Sequence, residues 1–316
     1  MDLVNHLNDR LLFAVPKKGR LHQQCLDLLH GSDIQFHRNA RLDIALCLNM
    51  PIALVFLPAA DIPRFVGEGR VDLGITGQDQ VAESQTRNVE EILNLGFGKC
   101  KLQVQVPANG EINDPSQLIG KNIVTSFTGL TKEYFSKLEA AVDSKPTASA
   151  NGAETPRRRA TIAGSTTIKY VGGSVEAACA LGVADGIVDL VESGETMRAA
   201  GLKAIATVME TAAVLIRSKN PSNPALVETI TARIRGVITA QKYVLCTYNA
   251  PRAKLEEIKQ ITPGRRAPTV TSLVEEGWVA VSVMVEKKKI ADTMDALALQ
   301  GATDILVTTI SNSRTI

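Results

Sequence analysis

The chain has 316 residues, with 35 Lys and Arg against 33 Asp and Glu, for a formal net charge of +2 at pH 7. That length suits two or three domains, and a charge so small argues against a nucleic-acid binder, which carries a strongly basic face. The excess itself falls in residues 143–168, where Lys145, Arg157, Arg158 and Arg159 stand against Asp143 and Glu154, so the remainder is close to neutral.

No stretch approaches the ~20 apolar residues of a membrane helix. The N-terminal MDLVNHLNDRLLFAVPKKGR has no basic segment leading into a long apolar one, so no secretory signal is expected. The five cysteines (Cys25, Cys47, Cys100, Cys179, Cys246) form no Cys-x-x-Cys pair and read as buried free thiols of a soluble, cytoplasmic protein. All four histidines (His6, His22, His30, His37) lie within the first 37 residues, which leaves no histidine triad or metal cluster elsewhere.

In chain order, LLFAVP reads as a strand, KKGR as a loop, and LHQQCLDLLH as a helix with Gly31 at its C-cap. IALVFLP is a strand, followed by Asp61 as N-cap and Pro63 in the first turn of a helix. VDLGITG is a strand that breaks at Gly77 before QDQVAES, and KCKLQVQVP alternates as a half-buried strand does. KNIVTSF leads into TKEYFSKLEAAV, with Thr131 as N-cap and Glu133 in the first turn. IKYVGG, DGIVDLV and KAIATVM complete a second set of strands with helices between. This alternation predicts α/β architecture, with parallel sheets covered by helices on both faces.

Residues 143–168 are rich in Ala, Ser, Thr, Pro and Gly, cannot bury enough apolar surface to offset ordering, and read as a disordered surface insertion. From about residue 242 the pattern becomes KYVLCTYNAP, RAKLEEIKQI, APTVTSL, GWVAVSVMVE, KKIADTMDALALQG and TDILVTTIS, the β-α-β-β-α-β order of a ferredoxin-like module. The helix NPALVETITARIRGVITAQ connects it to what precedes, and Trp278 is expected in its core.

Three strand-to-helix turns combine glycine with small polar or cationic residues, where free backbone N–H groups favour anions. PKKGRL sets Lys17, Lys18 and Arg20 around Gly19, GITGQD sets Gly74 and Gly77 around Thr76, and VESGETM follows an apolar strand carrying Asp189. In the third turn Ser193, Gly194 and Thr196 offer hydroxyls and amides to a phosphate, with Asp185 and Asp189 before them. An acid beside a phosphate loop fits a group that binds ribose hydroxyls, holds Mg²⁺, or faces a developing cation.

PKKGRL, VDLGITGQD, LGFGKCKL and VGGSVEAACALGVADGIVDLVESGETM together resemble the ATP phosphoribosyltransferases, the family that commits carbon to histidine biosynthesis. APTVTSLVEEGWVAV and GATDILV resemble the C-terminal regulatory domain of that family's long form. The resemblance implies a two-lobed catalytic body of the periplasmic-binding-protein type (type II). Residues 1–102 and about 214–241 would form lobe I, and 103–213 lobe II, followed by an ACT-like βαββαβ regulatory domain over 242–316. It implies that N1 of ATP displaces pyrophosphate from phosphoribosyl pyrophosphate with Mg²⁺ present, and that no protein nucleophile is needed.

On the matching positions, Glu192, Ser193, Gly194, Glu195, Thr196 and Met197 would take the 5′-phosphate, with Glu195 turned outward. Asp185 and Asp189 would meet ribose hydroxyls, directly or through Mg²⁺, and Lys17, Gly19 and Arg20 the pyrophosphate or the ATP phosphates. Asp72, Thr76, Gly77, Asp79, Lys99 and Lys101 fall in matching motifs at the cleft, although Asp72 reads equally as a structural strand-end acid and Lys99 as a solvated charge. The tail would bind histidine as feedback inhibitor between neighbouring subunits of a dimer or hexamer, at Asn249, Thr269 and Asp304 with the backbone around Arg265 and Ala267. Two rival classes share parts of this pattern. One is a solute-binding sensor of the same cleft fold; the other is an amino-acid-pathway enzyme with a ligand-sensing tail, such as a prephenate dehydratase, which would not require a Ser-Gly-x-Thr loop.

Overall fold

The computed structural model describes residues 7, 9–39, 42–143 and 165–314. It divides into two compact units, Met1–Leu11 with Gln23–Leu54 and Ser222–Ile316, and Leu12–His22 with Val55–Pro221. Most of the insertion expected over 143–168 lies outside the described residues.

The second unit is built on two sheets. The first includes β1 (Leu11–Pro16), β3 (Ile52–Leu57), β4 (Leu73–Gly77), β5 (Val89–Asn94) and β11 (Ala213–Ser218), side by side in the order β3-β1-β4-β11-β5. β1 and β4 run parallel with Phe13 opposite Leu73, whereas β11 is antiparallel to both β4 and β5. The second sheet comprises β6 (Cys100–Pro107), β7 (Asn122–Thr125), β8 (Thr167–Tyr170), β9 (Gly186–Val191) and β10 (Leu202–Thr211), in the order β10-β6-β9-β7-β8. Here β7 is parallel to β8 and β9, and β6 is the antiparallel strand. The two sheets share one feature of plan: a reversed strand, β11 in the first and β6 in the second, is inserted where the chain arrives from the other sheet.

Runs of apolar residues without alternation follow from burial on both faces. Phe13, Ala14 and Val15 are wholly buried, as are Ile52, Ala53 and Leu54. Helices α2 (Ile62–Gly67), α3 (Gln78–Ser84) and α4 (Thr128–Asp143) cover these sheets, with Ile62 and Val66 packed on Ala14, Val214 and Ile216. Phe127 and Phe135 pack on Leu102, Val104, Ile123 and Val188. The short helices α5 (Ala177–Ala180) and α6 (Glu195–Ala199) flank β9 and β10, where Ala178, Ile187, Leu202 and Met197 close a separate cluster.

Three local expectations change in this unit. Asp61 stands at the N-cap of α2 but makes no side-chain cap bond. Thr131 lies inside the first turn of α4 rather than at its cap, and is fully buried. The cap comes instead from another helix: the Glu83 carboxylate accepts from Gly129 N at 2.8 Å and Leu130 N at 2.9 Å. The expected insertion also ends early, since Thr167 and Ile168 pair with Asn122 and Ile123 in the sheet.

In the first unit, α1 (His22–Gly31) and α7 (Pro224–Lys242) pack through Gly31, where a Cβ would stand 3.2 Å from Val237 Cγ1. Gly31 thus serves close approach and not the C-cap; the left-handed residue that follows is Asp33, with φ 53°. Asn223 caps α7 by accepting from Leu226 N at 3.1 Å. The short strand β2 (Ile44–Leu46) precedes a turn that closes where Cys47 N donates to Ile52 O.

The tail forms its own sheet of β12 (Tyr243–Pro251), β13 (Thr269–Ser272), β14 (Trp278–Glu286) and β15 (Thr303–Thr309), in the order β13-β14-β12-β15. With α8 (Leu255–Ile261) and α9 (Ile290–Leu299) this is the expected βαββαβ module. Val244, Cys246, Tyr248, Val279, Val281, Val283 and Leu297 fill its core. Trp278 is not among them: it alternates with the buried Val279 and so points to the face away from the helices.

Candidate active site

Parallel strands deliver their C-terminal ends, and the loops that follow, to one side of each sheet. In the second unit three such loops converge. After β1, Gly19 turns the chain with φ +90°, and His22 Nδ1 donates to Pro16 O at 2.6 Å. At the end of β4, the buried Thr76 hydroxyl donates to Ala59 O at 2.8 Å, and Gly77, the strand's last residue, is the N-cap of α3. After β9, Gly194 turns at φ +77°, where a Cβ would lie 2.7 Å from Arg198 Nη1.

Arg20 joins these loops. It lines a recess of about 230 Å³ together with Cys100 and residues 190–197, which include Glu192, Ser193, Gly194, Glu195, Thr196 and Met197. It also lines a recess of about 180 Å³ with Lys18, Gly19, Gly77, Asp79 and Leu190. A third recess of about 440 Å³ brings in Gln78, Lys99, Lys101, Glu192 and Thr211. Within the unit, Arg20 Nη1 donates to Gly98 O at 2.5 Å, and Nη2 lies 3.6 Å from Asp79 Oδ1. Lys101 pairs with Glu210 at 3.1 Å across two exposed side chains, a contact water screens. Glu192, Ser193, Glu195 and Thr196 are exposed, and Glu195 N donates to Ser193 Oγ at 3.4 Å.

Asp189 sits in the last half of β9, with Oδ1 accepting from Leu190 N at 2.8 Å. Burial pushes its carboxyl up from 3.8 to about 6; the Leu190 N–H pulls against this, and the charge of Glu176 adds to it. An acid held this way is short of partners when ionised, so a cation or hydroxyl donors reaching it are stabilised. The Cys100 thiol is also pushed up to about 11 by burial, against the opposing influence of Arg20, and stays protonated at neutral pH.

Several predicted residues do not line these recesses. Asp72 precedes β4, at the far end of that strand from Gly77, and its Oδ2 accepts from Leu12 N at 3.0 Å. Asp185 precedes β9 in the same way, with Oδ2 accepting from Asn122 N at 2.9 Å. A six-residue strand, about 20 Å, separates it from Ser193. Lys17 and Thr76 border the turns but line none of these three recesses, and Asp189 lines none of them either, standing next to Leu190, which lines two. Among residues not singled out beforehand are Glu176, whose charge reaches Asp189, and Thr211, whose hydroxyl lies 2.6 Å from Asp79 Oδ1. Glu176 stood inside a motif; nothing local marked Thr211, 132 residues from Asp79.

Among the described residues no three His, Cys, Asp or Glu side chains gather as a metal cage. A half-buried carboxylate, Asp189, next to Leu190, which lines two of the recesses, would fit Mg²⁺ held largely by substrate oxygens and water, its usual mode. No helix of the described residues is long and apolar enough to cross a membrane.

In the tail, Asn249 Nδ2 donates to Asp304 Oδ2 at 3.0 Å on the face away from the helices, and Asp304 has φ 50°. Arg265 lies over the Tyr243 ring at 5.5 Å. Thr269 is on β13, the opposite edge of the sheet from Asp304 on β15. Asn249 and Asp304 thus meet directly, whereas Thr269 lies two strands from Asn249.

The chain matches the family model described as ATP phosphoribosyltransferase over residues 58–236, and that of HisG, C-terminal domain, over 240–312. It is 66% identical over 314 residues to the ATP phosphoribosyltransferase of Yarrowia lipolytica, covering 99% of this chain and 100% of that one. It is 58% identical over 315 residues to the enzyme of that name from Saccharomyces cerevisiae, again covering 99% and 100%. Among solved structures it is similar in fold to a chain of the ATP phosphoribosyl transferase (HisG:HisZ) complex from Thermotoga maritima. The TM-score is 0.55 at 20% identity, covering 71% of this chain and 96% of that one.

Proposed function

Given that the chain belongs to the ATP phosphoribosyltransferase family, we propose that its reaction runs in the recesses that Arg20 shares with the loop after β9. The enzyme is a pentosyltransferase of the first step of histidine biosynthesis: N1 of ATP attacks C1 of phosphoribosyl pyrophosphate, the N1–C1 bond forms, and the C1–O bond to pyrophosphate breaks. The observation carrying the site is that one cationic side chain and the whole 190–197 loop line a single recess.

The nucleophile is a substrate nitrogen, so the chain's part is binding, orientation and charge. The amides and hydroxyls of Ser193, Gly194 and Thr196 take the 5′-phosphate. Arg20, with Gly19 opening its loop, meets the pyrophosphate, and Lys99 and Lys101 extend positive charge toward the phosphates of ATP. Asp189 holds ribose hydroxyls and faces the positive charge that develops at C1, a role supported by its burial and by the stabilisation a cation offers it. Mg²⁺, when bound, would be held by Asp189 together with substrate oxygens, and would neutralise the leaving pyrophosphate. Asp185 is given a structural role by its bond to Asn122.

The finer organisation belongs to the same proposal. Residues 1–102 and about 214–241 act as one catalytic lobe and 103–213 as the other, a reading supported by the return of β11 to the first sheet. Histidine inhibits through the 242–316 module. The separation of Thr269, on one edge strand, from Asp304, on the other, supports a site at Asn249, Arg265, Ala267, Thr269 and Asp304 that is completed by a neighbouring copy in a dimer or hexamer. Free thiols at all five cysteines support a reducing, cytoplasmic setting.

Mixing the protein with ATP, phosphoribosyl pyrophosphate and Mg²⁺ and following the absorbance of the adenylated product tests the reaction. Stoichiometric pyrophosphate release is expected. Activity that survives Arg20→Ala unchanged would remove this recess from the chemistry.

A further inference from the structure

Thr211 ends β10 and is followed within two residues by β11, so its backbone belongs to the chain's return from the second sheet to the first. Its side chain is buried and makes a reciprocal pair of bonds with one residue of the first sheet's loops. The hydroxyl donates to Asp79 Oδ1 at 2.6 Å and accepts from Asp79 N at 3.0 Å. Asp79 is itself 1% exposed, and its other oxygen accepts from Gln80 Nε2 at 3.2 Å.

The glycine in GITGQD makes this arrangement possible. A Cβ on Gly77 would lie 2.1 Å from Asp79 Oδ1, so any larger residue would push the carboxylate out of place. The same Oδ1 is the oxygen 3.6 Å from Arg20 Nη2. Thr211 therefore fixes the oxygen that faces the arginine, and the arginine lines the recess of the 190–197 loop.

We infer that Thr211 is a positioning residue: through Asp79 it holds the Arg20 guanidinium in the orientation that receives substrate phosphate. A free arginine carries large rotamer freedom, and ordering it in advance removes that cost from the bound state. Without the hydroxyl, the Asp79 amide is buried without its acceptor and the carboxylate turns about its last torsion. Because Thr211 is also the last residue of a connecting strand, the same bond ties the path between the sheets to the arginine. This inference rests on the proposed contact between Arg20 and substrate.

The test is a double-mutant cycle in the full-length enzyme, with steady-state kinetics in both substrates. Thr211→Val, which keeps the shape, is expected to lower kcat/KM for phosphoribosyl pyrophosphate about tenfold, the scale of a misoriented group. Thr211→Ser keeps the hydroxyl and is expected to stay within about threefold of wild type, since the hydrogen bonds survive. In an Arg20→Ala background, already impaired, Thr211→Val should add less than about a twofold loss, because groups that act as a unit are not additive. Full additivity, or wild-type kinetics for Thr211→Val beside an impaired Arg20→Ala, overturns the inference while leaving the site reading intact. Wild-type kinetics for Arg20→Ala removes the site reading instead. Should Thr211→Val fail to fold, Asp79→Asn serves as the second variant. It keeps an acceptor for the Thr211 hydroxyl but drops the charge facing Arg20, and it is expected to lose kcat/KM with an unchanged melting temperature. Unchanged kinetics for that variant overturns the inference equally.

Discussion

Asp185 and Asn122 are joined across two parallel strands: the carboxylate that precedes β9 accepts the first amide of β7 at 2.9 Å. Asp72, preceding β4, does the same for Leu12 in β1 at 3.0 Å. The two acids occupy corresponding places in the two sheets, both at the N-terminal strand ends, away from the loops that form the recesses. Replacing either with Ala should cost about 1–2 kcal/mol, the loss of a charged acceptor that leaves an amide unpaired. Chemical denaturation should register that loss while KM for both substrates stays unchanged. A large fall in kcat for Asp185→Ala at unaltered stability would return this acid to the chemistry.

Asp189, four residues on, behaves otherwise. Its removal takes away a half-buried carboxylate just before the phosphate loop, and Asp189→Ala should lower kcat by about a hundredfold or more, the scale of losing one preorganised charged group. Initial rates at saturating ATP and phosphoribosyl pyrophosphate read this directly, and near-normal turnover would exclude Asp189 from the site.

The same acid makes the free enzyme's stability depend on pH in a defined sense. Its folded value of about 6 stands above the ordinary 3.8 because burial disfavours the charge. The folded state thus holds the proton more tightly than the unfolded chain does. The stability this group contributes is complete below pH 3.8, declines as pH rises toward 6, and is level above that. Asp189→Asn, which cannot ionise, should match wild type near pH 4 and exceed it by about 1–3 kcal/mol at pH 7–8, in EDTA and without substrate. Urea titrations at the two pH values supply the comparison; equal stabilities at pH 8 would mean that the carboxylate is not strained.

Features carried by local periodicity were legible in the sequence. LLFAVP, VDLGITG and DGIVDLV are strands because uninterrupted apolar runs suit a sheet buried on both faces, and the tail's alternation gives β12 and β14 their single buried face. The loop of Ser193–Gly194–Thr196 was legible because small polar residues after an apolar strand have few other uses. What escaped depended on tertiary pairing. Asp185 and Asp189 are both acids in one strand motif, and only register shows that they stand at opposite ends of β9. Gly31 looks like a cap until Val237 is found against it, 206 positions later in the chain. Thr131 looks like a cap because its type favours one; the anion that caps α4 arrives from α3 instead.

That cap is itself open to test. Glu83 offers one oxygen to Gly129 N and the other to Leu130 N, at 2.8 and 2.9 Å, so a full negative charge sits on the N-terminal end of a 16-residue helix. Gly129 permits the approach, since a Cβ there would lie 3.2 Å from Glu83 Oε2. Charge-assisted bonds and the helix dipole act together, and Glu83→Ala should destabilise the protein by about 2 kcal/mol. Glu83→Gln retains an acceptor but not the charge, so its loss should be about half as large and should shrink with added salt. Hydrogen exchange gives the local readout: the amides of Gly129 and Leu130 should exchange faster in Glu83→Ala than in wild type, while those of the central residues of α4 are little changed. Unaltered protection of both amides would mean that another group satisfies them and that the connection between α3 and α4 contributes nothing to the helix.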